Sequence, residues 1–123
     1  MDLLPPRWAD VSDEVNDLLS DIARKSSKLD RLHSKHVLPG FDDNRSAEEG
    51  EIERLTTEIT NAFHECQKRI RRIEGMVNGD SSRAEESMSK NIQINLATKV
   101  QDASTLFRKK QSAYLKSTSS PPF

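Results

Sequence analysis

The sequence predicts an all-α fold: an antiparallel, up-down-up bundle of three helices with left-handed, coiled-coil-like packing. Three observations predict it. Pro5-Pro6, Pro39-Gly40, Asn78-Gly79 and Pro121-Pro122 bound three stretches of roughly 30 residues that contain no proline. Within each stretch the apolar residues recur at spacings of 4 and 3, the a/d pattern of helices that share a seam. Only 33% of the 123 residues are hydrophobic, so a narrow seam is the core this chain can fill.

In the first stretch the stripe runs Val11, Val15, Leu18, Ile22, Lys25, Leu29, Leu32, His36, with one lysine in the seam. Strand alternation fits poorly, because Leu18-Leu19 and the polar run Arg24 to Lys28 break a period of two. The helix is expected to start near Trp8 to Asp10, with Asp10 and Asp13 against the positive end of its dipole, and to end before Pro39. The second stretch repeats the pattern through Ile52, Thr56, Ile59, Phe63, Cys66, Ile70, Ile73 and Val77. Leu55 and Ala62 widen its stripe. Ser46 and Glu49 have the spacing of a capping box, and Asn78-Gly79 supply a left-handed stop. The third stretch is more polar. Met88, Ile92, Leu96, Val100, Ala103, Phe107 and Tyr114 form its stripe, and Ser82 with Glu85 forms a second capping box. Short connections between rods of about 40 Å require neighbouring helices to run antiparallel. Residues 1–7 are read as a lead-in, 8–116 as the bundle with helices at about 8–37, 46–78 and 81–116, and 117–123 as the start of a linker.

Composition removes several function classes. Lys and Arg number 19 and Asp and Glu 20, so a net charge of −1 gives no drive toward nucleic acid. The chain lacks the high net charge that accompanies disorder. No run approaches a membrane span, and no basic-then-apolar start marks a signal peptide. The single cysteine, Cys66, cannot form an internal disulfide, which fits a reducing compartment.

Catalytic and metal patterns are weak. His33 and His36 share a helix face and, with His64 and Cys66, supply zinc-ligand chemistry. The plainer reading makes His36 a partly buried stripe histidine and Cys66 a small apolar residue between Phe63 and Ile70. His64-Glu65 lacks a second histidine at position 68, which is lysine, so the metalloprotease pattern fails. Asp42, Asn44, Ser46, Glu48 and Glu53 match alternate positions of a calcium loop, but Ala47 stands where the turn needs glycine. No glycine-rich phosphate loop or nucleophile triad can be placed. The reading is therefore a non-enzyme without cofactor or metal. The basic clusters Lys68–Arg72 and Arg108–Lys110 read as solvated faces near helix C-termini, because aromatics are too few to interleave with them. Ile94 falls off the main stripe, where it could meet a partner.

Four strings carry a family likeness: Leu4-Pro5-Pro6-Arg7-Trp8; Leu32-His33-Ser34-Lys35-His36; Glu58 to Gln67, read EITNAFHECQ; and Phe107 to Lys116, read FRKKQSAYLK. Together they make the chain resemble the N-terminal three-helix (Habc) regulatory domain of a syntaxin, a Qa-SNARE, and within that family the syntaxin-16-like group of trans-Golgi and endosomal membranes. The resemblance implies a regulator of vesicle fusion that binds its own SNARE helix, cognate SNARE helices, or an SM-family protein. It implies a soluble fragment at the cytosolic face of trans-Golgi and endosomal membranes. Relative to a full syntaxin, the sequence lacks the N-terminal SM-binding peptide, the SNARE heptads and the membrane anchor. Docking would follow helix-in-groove recognition. Leu55, Ala62 and Arg69 on the second helix, with Leu106 and Ala113 on the third, are the expected lining of a groove beside their shared seam. The alternative is a structural three-helix repeat of the spectrin type. In that case the same residues only widen the core stripe.

Overall fold

The computed structural model describes residues 6–37, 45–77 and 82–119. They form three helices: α1 (Pro6–Val37), α2 (Arg45–Gly75) and α3 (Arg83–Ser119). Among the described residues there is no strand. The leading sequence motifs Leu4-Pro5, Pro39-Gly40, Asn78-Gly79 and Pro121-Pro122, and the calcium-loop residues Asp42 and Asn44, lie outside this description.

Helix ends differ from the sequence reading for local reasons. α1 starts at Pro6. A proline in the first turn gives up no hydrogen bond, since the first amides of a helix have no partner within it. That earlier start leaves no acidic residue in the first turn of α1. Asp10 and Asp13 then sit beyond the turn where the dipole acts most strongly. α2 starts at Arg45, so Ser46 lies inside its first turn rather than ahead of it. It ends at Gly75 with shortened bonds, Met76 N–H to the Ile73 carbonyl at 3.1 Å and Val77 N–H to Glu74 at 3.4 Å. This tightening satisfies the last carbonyls. The box at α3 forms as expected. The Glu85 amide donates to Ser82 Oγ at 3.1 Å, and the Ser82 amide donates to Glu85 Oε1 at 3.4 Å.

Side-chain pairs fix the directions of the rods. Along α1, Glu14, Lys25, Lys28 and Lys35 meet Arg69, Glu58, Glu51 and Glu48 of α2, so one numbering rises as the other falls. Against α3, Asn16, Asp30 and His33 meet Lys99, Lys110 and Tyr114, so α1 and α3 run the same way. Thr56 and Phe63 of α2 meet Gln111 and Phe107 of α3, again antiparallel. The topology is up-down-up.

The core lies along these seams. α1 buries Trp8, Val11, Val15, Ile22 and Leu29; α2 buries Ile52, Leu55, Ile59, Phe63, Cys66 and Ile73. α3 contributes only Leu96 and Val100 to the buried apolar set, with Ser89 buried beside them. Its remaining stripe residues, Met88, Ile92, Ala103, Phe107 and Tyr114, pack against the core while partly exposed. The seam lysine, Lys25, lays its stem along the core and carries its ammonium out to Asp21 at 3.0 Å and Glu58 at 3.1 Å. At the far end of α1 the buried histidine is His33, stacked on Tyr114 with ring centroids 3.6 Å apart and planes at 12°. The side chain of His36 lies outside the description.

Candidate functional site

Charge is distributed unequally over the three seams. The α1/α2 seam is zipped by ion pairs. Asp21, Lys25, Glu58, Arg54, Glu51 and Lys28 form a continuous ladder, flanked by Arg69 with Glu14 and by Lys35 with Glu48. The Arg54 guanidinium holds the Glu51 carboxyl down to about 2, with Lys28 adding to the effect. Hydrogen bonds from Lys25 and Arg54 lower Glu58, and those that Lys25 donates to Asp21 and Glu58 raise Lys25. The α1/α3 seam is bridged by Lys99 to Asn16 at 3.4 Å and Lys110 to Asp30 at 2.7 Å.

The α2/α3 seam is different. There an open cleft of about 400 Å³ runs between Gln67, Ile70 and Arg71 of α2 and Ala97, Val100, Gln101, Ser104 and Arg108 of α3. Its α3 side is a single helical row, one turn per step, because 97, 101, 104 and 108 share a flank at 3.6 residues per turn. Ile70 and Val100 give it an apolar floor, Gln67, Gln101 and Ser104 give polar walls, and two guanidiniums stand at its rim.

The residues expected to line a groove there do not come together in it. Leu55 is only 2% exposed and belongs to the core. Ala62 packs partly buried against that core. The Arg69 guanidinium donates to Glu14 at 2.6 Å and pairs with Glu65 at 3.1 Å, which places it on the α1 side of α2. Leu106, 54% exposed, and Ala113, also exposed, lie on the flank of α3 that carries Lys99 and Lys110 toward α1. The expected groove therefore exists at the expected seam, with other residues in it. One sequence signal pointed to its flank: Ile94, which is 64% exposed and sits two turns before Gln101 on the same side of α3.

The basic clusters also resolve into separate roles. Arg69 is spent on α1, Arg71 faces the cleft, and Lys68 and Arg72 are exposed. Lys110 is spent on Asp30, Arg108 faces the cleft, and Lys109 is exposed. For metal chemistry, Cys66 is fully buried and burial pushes its thiol up from the ordinary value, while His64 is exposed. Among the described residues no three His, Cys, Asp or Glu side chains are grouped so that they could hold a metal ion. Glu48 faces Lys35 at 3.3 Å. No described helix is long and apolar enough to cross a membrane.

The described residues form a three-helix bundle with an open cleft at its α2/α3 seam. The chain is 44% identical over 116 residues to "t-SNARE affecting a late Golgi compartment protein 2" of Schizosaccharomyces pombe, covering 94% of this chain and 38% of that protein. It is 38% identical over 112 residues to Syntaxin-16 of Homo sapiens, covering 91% of this chain and 34% of that protein. A solved complex described as the SM protein Vps45 with the Qa SNARE Tlg2 contains a chain that matches 97% of this one and is itself covered to 64%. The TM-score is 0.78 and the identity 56%. No protein-family model matches. Along nearly its whole length the chain is similar to Qa-SNAREs of the Tlg2/syntaxin-16 group. It spans between about a third and two fifths of the length of these curated relatives. The matches favour the SNARE reading over a spectrin-type repeat.

Proposed function

We propose that this chain is the N-terminal regulatory (Habc) domain of a syntaxin acting in vesicle-mediated transport and membrane fusion. Its place is the cytosolic face of trans-Golgi and endosomal membranes, in line with the late Golgi compartment in its fission-yeast relative's name. Its task is to dock a SNARE helix, its own or a cognate one, and to help engage an SM-family protein. The similarity to a chain from the Vps45 complex supports the SM partner.

The observation that carries this reading is the open cleft between α2 and α3, with its apolar floor at Ile70 and Val100. An amphipathic helix buries its apolar face by lying in such a groove. Among the described residues the other two seams are bridged by paired side chains. Titration calorimetry of the 123-residue chain against a SNARE-motif peptide, and separately against an SM-family protein, tests the proposal. Saturable binding of one of these supports it; no binding of either removes it.

A further inference from the structure

The cleft also carries information about its occupant, granted the proposed helix docking. Elsewhere the charged side chains at the seams find partners within the bundle: Lys25, Lys28, Lys35, Arg54, Arg69 and Lys110 are all ion-paired. Arg71 and Arg108 are not. They stand on opposite helices of the same cleft, both exposed, and neither has an ion-pair partner among the described residues. The lining holds no carboxylate, and Glu74, one turn beyond Arg71, lies outside it. Two unneutralised cations over an apolar floor favour an occupant that brings negative charge on both flanks.

The flank of α3 that walls the cleft sets a length. It continues beyond the cleft to an exposed apolar residue at each end, Ile94 at 64% and Leu115 at 59%. From Ile94 to Leu115 is about 32 Å of helix, or roughly six turns. A six-turn helix laid along this track covers Ile94 and Leu115 with its ends and meets Arg71 and Arg108 between them.

We infer that the α2/α3 cleft selects an amphipathic helix of about six turns with acidic residues flanking its apolar stripe, and that Arg71 and Arg108 read those residues. An anionic headgroup would use the arginines but leave the apolar floor and the distant leucine and isoleucine uncovered. A helix satisfies all of them.

The test uses the 123-residue chain and two fluorescent helical peptides of about 21 residues with the same apolar stripe. One carries Glu on the flanks of the stripe at the levels of Arg71 and Arg108, and the other carries Lys there. Binding is followed by anisotropy for the unchanged chain, for Arg71→Glu with Arg108→Glu, and for Ser104→Trp, which fills the cleft. Circular dichroism verifies that each variant keeps its helices. The expected result is at least tenfold tighter binding of the Glu peptide, reversal of the preference in the double variant, weakening of Glu-peptide binding by salt, and loss of binding in Ser104→Trp. Equal binding of both peptides, lost in Ser104→Trp, overturns the charge selection and leaves the cleft as a helix site. Binding that survives Ser104→Trp overturns both. An Ile94→Ser, Leu115→Ser variant that binds the Glu peptide as well as the unchanged chain does overturns the assigned length.

Discussion

Arg69 of α2 reaches back to Glu14 of α1, guanidinium to carboxylate at 2.6 Å, and so ties two helices together at the face opposite the cleft. A second contact to Glu65 at 3.1 Å holds the same group along its own helix. The arginine is a strut of the hairpin formed by α1 and α2. Arg69→Ala is expected to lower stability by about 0.2–1 kcal/mol, the range of partly exposed ion pairs. It should leave helix docking unchanged. Urea denaturation and peptide titration on one variant check both halves; loss of docking at unchanged stability would return Arg69 to the binding face.

Leu55 and Leu106 make a matched contrast. Both flank an apolar stripe, yet Leu55 is 2% exposed and Leu106 is 54% exposed. Leu55→Ala should cost about 2–5 kcal/mol, because it removes buried methyls and leaves a cavity. Leu106→Ala should change stability by no more than about 0.5 kcal/mol. Equilibrium unfolding of the two variants reads the difference directly.

How much of this was legible from residues alone follows from what periodicity encodes. Spacings of 4 and 3 gave the buried face of each helix, so Val15, Ile59, Phe63 and Val100 were placed correctly before any coordinates. A stripe does not tell which neighbour lies to its left and which to its right. Arg69 and Leu106 were therefore assigned to the correct rods and the wrong seams. At the end of α1 the register drifts, because 3.6 residues per turn slips against a strict heptad, and His33 is buried while Leu32 of the expected stripe is only partly so. The cleft residues Arg71 and Arg108 were hidden inside basic clusters. Their distinction is their place at the cleft, which only three-dimensional placement reveals.

The ladder on the α1/α2 seam should respond to acid. Glu51 is lowered to about 2 and Glu58 is lowered too, each chiefly through hydrogen bonds from basic partners. Carboxylates depressed in the folded state contribute stability that is complete above the ordinary glutamate value of 4.5 and is lost as pH falls through the folded value. Thermal midpoints should therefore decline between about pH 4.5 and 2, and less so at high salt. Glu51→Gln with Glu58→Gln should flatten that decline. A double variant with an unchanged profile would show that the ladder has no part in it.

Cys66 gives a probe of the core. Its thiol is fully buried and its ionisation is pushed up by that burial. Since the thiolate is the reactive form, alkylation of the native chain at neutral pH should be slow and limited by opening of the bundle. In denaturant the rate should approach that of a free thiol. Fast labelling without denaturant would place the α2 seam in solvent.

The docking account rests on which seam a partner helix occupies. Backbone amide shifts of the isotope-labelled chain, recorded while a SNARE-motif peptide is added, locate that seam residue by residue. The account predicts the largest changes at Gln67, Ile70 and Arg71 and from Ala97 to Arg108, with Glu14 and Lys25 nearly still. Changes centred on the α1/α2 ladder, with the cleft silent, would contradict it.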